Sequence, residues 1–251
     1  MFIKKQGNSN TKIRMVWLHG WGNNHSSLLQ LSNLFVNEAE HYLIDLPGFG
    51  QSLPPKEIWG SAEYTKAFIA WLQTLPSKKT YIIGHSFGGR VAIQAAQLVP
   101  DAIHGIILIA ASGLQKKRSV LFKIKALLLK NIGKSLKLID NCCKTTLKDK
   151  YSRNFGSSDY KATKGIMRSI FVKIIHEDLS SIAALVTTPT LLLYGALDQE
   201  APAQFGKMYN KLMQNSSFFE LPGFNHYSIL STGRHQVYNL ITQFLQRALS
   251  C

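Results

Sequence analysis

The stretch TYIIGHSFGGRVAIQAAQ, Thr80–Gln97, places a polar serine between two segments of different periodicity. Its first four residues favour a buried β-strand, and from Arg90 onward apolar residues recur at helical spacing. Between them, Gly84 and Gly88 flank Ser86 in the pattern G-x-S-x-G. A sharp turn at this point strains the serine backbone and leaves no space for side chains at the two glycines. The stretch therefore predicts an elbow that exposes the Ser86 hydroxyl at the carboxyl edge of a sheet.

The rest of the chain alternates short apolar runs with longer amphipathic ones. Strands are predicted at Ile13–Leu18, Tyr42–Ile44, Tyr81–Ile83, Gly105–Ala110, Pro189–Gly195 and Ser217–Leu221. Helices are predicted at Ser27–Val36, Ser61–Leu75, Gly88–Leu98 and Arg234–Leu249, with one more between the last two strands. Short all-apolar strands that alternate with helices indicate an α/β protein whose parallel sheet is buried on both faces.

The alternation is interrupted once. From Gly113 to about Ser180 the pattern is mostly helical, and the segment carries 16 Lys and Arg against 5 Asp and Glu. Because the strand pattern resumes afterwards, we predict one core domain formed by residues 1–112 and 186–251. Residues 113–185 are predicted to be a helical, basic cap inserted between two strands.

The composition indicates a folded protein with a strongly basic surface. Hydrophobic residues make up 45% of the chain and charged ones 17%, which excludes a disordered chain. The formal net charge of +15 favours an anionic partner. The three cysteines, Cys142, Cys143 and Cys251, form no framework of spaced pairs. Since the sequence has neither a signal-peptide pattern nor an apolar run of about 18 residues, we expect a cytoplasmic protein.

A serine hydroxyl is a weak nucleophile, so the elbow requires a histidine base and a carboxylate that orients the histidine. Along chains with this elbow the order is serine, acid, histidine. Asp198 lies three residues beyond the predicted strand that ends at Gly195, and His226 lies in a loop after the last strand. Ser86, Asp198 and His226 are therefore predicted to meet at one sheet edge.

Two backbone N–H groups are candidates for stabilising a negatively charged oxygen beside the serine. One belongs to Phe87 at the start of the predicted helix, and the other to Trp21 in the HGWG loop after an early strand. Each site assignment has a structural alternative: Asp198 fits a helix N-cap, His226 an ordinary loop residue, and the HGWG loop a glycine-rich turn.

Five motifs occur in the order found in the α/β-hydrolase superfamily, which this chain resembles. They are HGWG (19–22), DLPGFGQS (45–52), GHSFGG (84–89), YGALD (194–198) and GFNH (223–226). The resemblance implies a mostly parallel sheet with helices on both faces, a cap, and neither cofactor nor metal. It also implies Ser86 as nucleophile, Asp198 as acid, His226 as base, and Trp21 and Phe87 as oxyanion donors. The first two motifs, the chain length and the cap position are similar to the pimeloyl-acyl-carrier-protein methyl ester esterases.

The predicted cap contains a basic amphipathic helix. Five lysines fall within an arc of about 60° when the segment is wound as a helix, namely Lys116, Lys123, Lys130, Lys134 and Lys137. A lysine face that contacts only water is the simplest interpretation. The alternatives are docking of an acidic carrier protein and binding to an anionic membrane surface. No recognised motif for nucleic-acid binding accompanies the charge, which argues against a nucleic-acid partner.

These features predict a serine carboxylesterase that acts through an acyl-enzyme, with a carrier-protein-bound methyl ester as one candidate substrate. Two alternatives use the same machinery: a lipase or monoacylglycerol-type hydrolase at a membrane surface, and hydrolysis of thioester, amide or carbon–carbon bonds. A third alternative is a catalytically idle fold used for binding. It requires the loss of a residue of the triad, and all three residue types are present.

Overall fold

The computed structural model describes residues 1–115, 135 and 162–250, which contain a seven-stranded sheet. The strands are β1 (Phe2–Gly7), β2 (Ile13–Leu18), β3 (Glu40–Asp45), β4 (Lys79–His85), β5 (Gly105–Ile109), β6 (Thr190–Gly195) and β7 (Ser216–Leu221). Their order across the sheet is β1-β3-β2-β4-β5-β6-β7. Neighbouring strands are parallel, except that β1 runs antiparallel to β3. The predicted mostly parallel sheet is confirmed.

Helices cover both faces of the sheet. They are α1 (Leu29–Ser32), α2 (Ser61–Leu72), α3 (Phe87–Leu98), α4 (Gly165–Ile175), α5 (Ser180–Ala183), α6 (Ala203–Leu212) and α7 (Arg234–Ser250). Along β2, Val16 packs into the cluster formed with α2, α3 and α6, while Trp17 packs into the opposite cluster with α1 and α7. Strands buried on both faces explain why the predicted strands are apolar throughout. Within residues 1–115 and 162–250, no helix is long and apolar enough to cross a membrane.

The N-terminal region differs from the sequence prediction in two ways: one strand was not predicted, and one predicted helix is not continuous. Strand β1 was missed because Lys4 and Lys5 interrupt its apolar pattern; at the sheet edge such long side chains reach solvent, and the Lys5 ammonium lies 4.9 Å from the ring centre of Tyr42. The predicted helix Ser27–Val36 is instead a series of short 3₁₀ and α turns between His25 and Phe35. Serine hydroxyls there bond to nearby carbonyl oxygens, which competes with a continuous helix.

The segment after α4 is tied to the core by Glu177. The Glu177 carboxylate accepts hydrogen bonds from the Ser61 backbone N–H at 3.0 Å and from the Ser61 hydroxyl at 2.5 Å, so it caps the N-terminus of α2 from a distant part of the chain. It also lies 3.5 Å from Nη1 of Arg90 in α3, a nearly buried guanidinium. These contacts fix the end of the predicted cap segment against two core helices.

Candidate active site

Ser86 occupies the predicted turn between β4 and α3. Its φ of 50° lies in the region that side chains other than glycine rarely adopt, so the predicted backbone strain is confirmed. A side chain on Gly84 would come within 2.7 Å of the Gly88 carbonyl oxygen. One on Gly88 would collide with the Leu18 carbonyl oxygen of the neighbouring strand. The two motif glycines are therefore required by the close approach of β2, β4 and α3.

His226 and Asp198 form a buried pair at the same edge of the sheet. His226 Nδ1 lies 2.7 Å from Asp198 Oδ2, and the two side chains are 5% and 0% exposed. The other carboxylate oxygen, Oδ1, accepts the backbone N–H groups of Glu200 at 2.8 Å and Ala201 at 2.9 Å. Asp198 thus caps the turn before α6, the structural role that the sequence left open, and also pairs with His226. A carboxylate at Nδ1 selects the tautomer in which Nε2 keeps its lone pair.

The loop that carries His226 also contacts the residue before the nucleophile candidate. His85 Nε2 lies 3.0 Å from the His226 carbonyl oxygen, and the two imidazole rings are 4.8 Å apart. Burial, followed by repulsion from His226, lowers the pKa of His85 to about 3, so this ring is neutral at ordinary pH. Ser86 Oγ is not hydrogen-bonded to His226 Nε2. That nitrogen instead faces Glu200 Oε2 at 3.6 Å.

The HGWG loop lies directly against Ser86. A side chain on Gly20 would come within 3.2 Å of Ser86 Cβ, so only glycine allows this approach. His19 holds the loop from both ring nitrogens: Nδ1 is 2.7 Å from the Gly20 carbonyl oxygen, and Nε2 accepts the Leu46 N–H at 3.0 Å. Burial lowers the pKa of His19 to about 4, which keeps the ring neutral and able to donate and accept at once.

The two candidate oxyanion donors lie on this loop and on α3. Among the described residues, neither the Trp21 nor the Phe87 backbone N–H donates to a backbone carbonyl. The HGWG loop and the first turn of α3 are linked by a hydrogen bond from the Gly88 N–H to the His19 carbonyl oxygen at 3.0 Å. The role of these two N–H groups as oxyanion donors stays a prediction.

The side chains of the two donor residues belong to a buried wall of aromatic rings, and sequence analysis did not predict these rings as a group. The Trp21 ring centre lies 4.8 Å from that of Phe49, 5.4 Å from that of Phe87 and 5.1 Å from that of Phe171. The Phe87 ring also contacts Tyr64 at 5.1 Å. Phe49 lies in the DLPGFGQS motif and Phe171 in α4, so the wall joins the core to the predicted cap segment. Each of these rings is at most 7% exposed, so the wall is part of the packed core.

Asp45 holds the loops that support this wall. Its carboxylate accepts the His25 backbone N–H at 2.6 Å and the Gln51 backbone N–H at 2.9 Å. It also pairs with His25 Nδ1 at 2.8 Å. Burial alone would raise the pKa of Asp45, but hydrogen bonds from Gln51 and His25 outweigh burial and lower it. The carboxylate therefore stays ionised and keeps the loop after β2 next to the loop after β3.

One group of predicted residues lies outside the part of the chain that the structure describes. Lys116, Lys123, Lys130, Lys134 and Lys137 lie outside the described residues, so the basic helix stays a prediction. Within residues 1–115 and 162–250, no three His, Cys, Asp or Glu side chains cluster as metal ligands would.

Comparison with known proteins agrees with the fold. The profile of a family described as the alpha/beta hydrolase fold matches residues 13–134. This chain has the α/β-hydrolase fold. It is 27% identical over 239 residues to the pimeloyl-[acyl-carrier protein] methyl ester esterase of Wigglesworthia glossinidia brevipalpis, across 87% of this chain and 88% of that protein. The predicted superfamily and the distant similarity to these esterases are confirmed.

Solved structures of related fold cover nearly the whole of this α/β hydrolase. A lipase-esterase related protein from Clostridium acetobutylicum ATCC 824 superposes with a TM-score of 0.73 at 15% identity, across 97% of this chain and 98% of that one. MenH from S. aureus superposes with a TM-score of 0.68 at 18% identity, across 98% of both chains. At these identities the superpositions establish the fold and leave the substrate to be argued from the site.

Proposed function

We propose that this α/β hydrolase is a serine carboxylesterase in which Ser86 is the nucleophile, His226 the base and Asp198 the acid. The observation that carries the proposal is the buried pair of His226 Nδ1 and Asp198 Oδ2, 2.7 Å apart, at the sheet edge that holds the strained Ser86. A histidine held in this tautomer has Nε2 free to take a hydroxyl proton. An idle binding fold would not need a buried, oriented imidazole beside a strained serine.

In the proposed reaction, Ser86 Oγ attacks the ester carbonyl carbon while His226 Nε2 takes the hydroxyl proton. The carbonyl oxygen becomes an oxyanion and accepts hydrogen bonds from the backbone N–H groups of Trp21 and Phe87. When the intermediate collapses, His226 gives the proton to the departing alcohol and an acyl-Ser86 ester remains. Water, deprotonated by the same histidine, then attacks the acyl carbon; the bond to Ser86 Oγ breaks, His226 returns the proton to that oxygen, and the carboxylic acid is released.

The absence of a Ser86–His226 hydrogen bond is compatible with this reaction. Bonds between a nucleophile and its base are often long before substrate binds and shorten in the Michaelis complex. The supporting contacts are already formed, because Asp198 holds Nδ1 and His85 contacts the His226 carbonyl oxygen.

For the substrate, we propose an ester with an apolar acyl chain, and a carrier-protein-bound methyl ester as the leading candidate. The relative named as a pimeloyl-[acyl-carrier protein] methyl ester esterase supports both the acyl chain and the carrier. An excess of 16 basic over 5 acidic residues in 113–180 would attract an acidic carrier to the proposed cap, residues 113–185. A cytoplasmic location belongs to this proposal.

The test compares p-nitrophenyl esters of increasing acyl length with a methyl ester on acyl carrier protein, at low and high salt. A preference for the carrier-bound ester that is lost when salt screens the charges of the cap would support a carrier-protein-bound substrate. Turnover of free short esters with no gain from the carrier would leave a general esterase, and activation by anionic vesicles would indicate a lipase. Hydrolysis of thioesters, amides or carbon–carbon bonds in place of esters would correct the reaction class.

A pair of serine variants tests the nucleophile in the same assay. Ser86→Ala should abolish turnover and retain the fold. Ser77→Ala removes an exposed hydroxyl at the opposite edge of the sheet, just before β4, and should leave turnover unchanged. Retained activity in Ser86→Ala would contradict the proposal.

A further inference from the structure

A second carboxylate lies on the side of His226 opposite Asp198. Glu200 Oε2 is 3.6 Å from His226 Nε2, the nitrogen that receives and returns the proton in the proposed reaction. The Tyr227 hydroxyl donates a hydrogen bond to the same Glu200 oxygen at 3.3 Å. The imidazole therefore lies between two negative charges, one buried and one partly exposed.

The position of Glu200 follows from the turn that also holds Asp198. The Glu200 backbone N–H donates to Asp198 Oδ1 at 2.8 Å, so both carboxylates belong to one hydrogen-bonded loop after β6. From this loop the buried Asp198 faces one edge of the His226 ring and the Glu200 side chain faces the other. The side chain of Glu200 is 46% exposed, so its charge is partly screened by solvent.

Other groups around the imidazole carry no charge at neutral pH. The His85 ring packs against it, and burial keeps that histidine neutral, with its pKa lowered to about 3. The Tyr227 ring lies edge-on at 5.1 Å and is a neutral phenol. Among the described residues, the charges that face the His226 ring are therefore the carboxylates of Asp198 and Glu200.

We propose that Glu200 is a positioning residue that acts through His226, and this inference rests on the proposed function. Its carboxylate, 3.6 Å from His226 Nε2, stabilises the imidazolium that forms when His226 takes the proton of Ser86. Because it acts on the histidine and neither attacks the substrate nor transfers the proton itself, its removal shifts the pH dependence and lowers the rate without abolishing it.

The experiment measures the second-order rate of inactivation by a fluorophosphonate, which modifies an activated serine regardless of the natural ester, from pH 4.5 to 9. The acidic limb is the part of the pH–rate profile in which the inactivation rate rises with pH. In Glu200→Gln this limb is expected to move to lower pH by about 0.5 to 1 unit, since a partly screened charge at this distance changes a neighbouring proton equilibrium by about that much. The rate at the plateau should fall about two- to tenfold. In 1 M NaCl the shift between the variant and the parent protein should shrink.

Three further variants keep the result specific. Glu200→Asp keeps the charge and should restore most of the parent pH profile. Tyr227→Phe removes the hydroxyl that holds Glu200 and should shift the limb in the same direction by a smaller amount. Asp101→Asn removes one exposed carboxylate at the opposite edge of the sheet and should leave the limb in place.

The outcomes separate the inference from the proposed function. If the fluorophosphonate never modifies Ser86 in the parent protein, the proposed function fails, and this inference fails with it. If Ser86 is modified but Glu200→Gln keeps the parent limb, the inference alone is overturned. A shift of equal size in Asp101→Asn would also overturn it, because the effect would then be one of net charge and not of position.

Discussion

Removal of the Glu177 carboxylate is expected to destabilise the protein by about 3 kcal/mol, because Glu177→Ala leaves two core helices without a partner. The carboxylate accepts two hydrogen bonds from Ser61, at 3.0 and 2.5 Å, and lies 3.5 Å from Arg90 Nη1. Loss of these bonds leaves the Ser61 N–H in the first turn of α2 without its acceptor, although Glu63 still accepts the Gly60 N–H. It also leaves the guanidinium of Arg90, whose side chain is 7% exposed, without its nearest carboxylate.

The magnitude combines these two effects. Breaking a buried ion pair by removing one partner costs about 3 to 5 kcal/mol. Here the lower end applies, since the Glu177 side chain is 23% exposed and water can partly replace it. For a chain of 251 residues, about 3 kcal/mol corresponds to a fall in Tm of about 6 °C.

The assay is thermal and urea unfolding of the parent protein and three variants. Glu220→Ala is the matched control, because Glu220 pairs with Lys207 on the surface, where such pairs contribute at most about 1 kcal/mol. The double variant Arg90→Met with Glu177→Ala should recover part of the loss, since no buried charge is left unpaired. The reasoning is refuted if Glu177→Ala is as stable as Glu220→Ala, or if the double variant is the least stable of all.

Three further predictions concern the elbow, the acid and the buried histidines. Gly88→Ala forces a methyl group into the Leu18 carbonyl oxygen, so it should lower the free energy of unfolding by more than about 3 kcal/mol or prevent folding. The control Gly223→Ala, with φ of 80° and open space around it, should lower that free energy by about 1 kcal/mol. Similar unfolding midpoints for the two variants would contradict this prediction. Asp198→Asn should lower kcat/KM for a p-nitrophenyl ester by about 10³- to 10⁴-fold with little change in Tm, and a loss below tenfold would contradict the assigned role. Burial lowers the pKa values of His19 and His85 to about 4 and about 3, so as the pH falls through 6.5 the unfolded chain takes up two protons that the folded protein does not. Stability should therefore be full above pH 6.5 and decrease as the pH falls below it, with a slope approaching about 2.7 kcal/mol per pH unit, and a flat urea-unfolding profile between pH 6 and 5 would contradict this.

The features that sequence predicted well are those fixed by local sterics. Gly84 and Gly88 are required because backbone atoms approach them closely, so their spacing around Ser86 reports the elbow directly. Asp198 and His226 each follow a predicted strand, and the carboxyl ends of parallel strands share one edge. The alternation of apolar and amphipathic runs was enough to predict six of the seven strands. Strand β1 was not predicted, because lysines at the exposed edge of the sheet interrupt its apolar pattern.

The features that sequence missed depend on contacts between distant segments. Glu177 meets Ser61 across 116 residues, and no local pattern marks either residue as a partner. Phe171 reaches the Trp21 ring only because this segment packs on the core. Glu200 is not among the predicted site residues, because its place beside His226 depends on the loops after β6 and β7 meeting in the fold.

The most direct test of the central claim is to locate the adduct that a fluorophosphonate forms on the protein. After labelling at neutral pH, the protein is digested and the modified peptide is identified by mass spectrometry. We predict one adduct per chain, on Ser86, and its loss in both Ser86→Ala and His226→Ala. Absence of labelling, or a stable adduct on another serine, would contradict the assignment of Ser86 as the nucleophile.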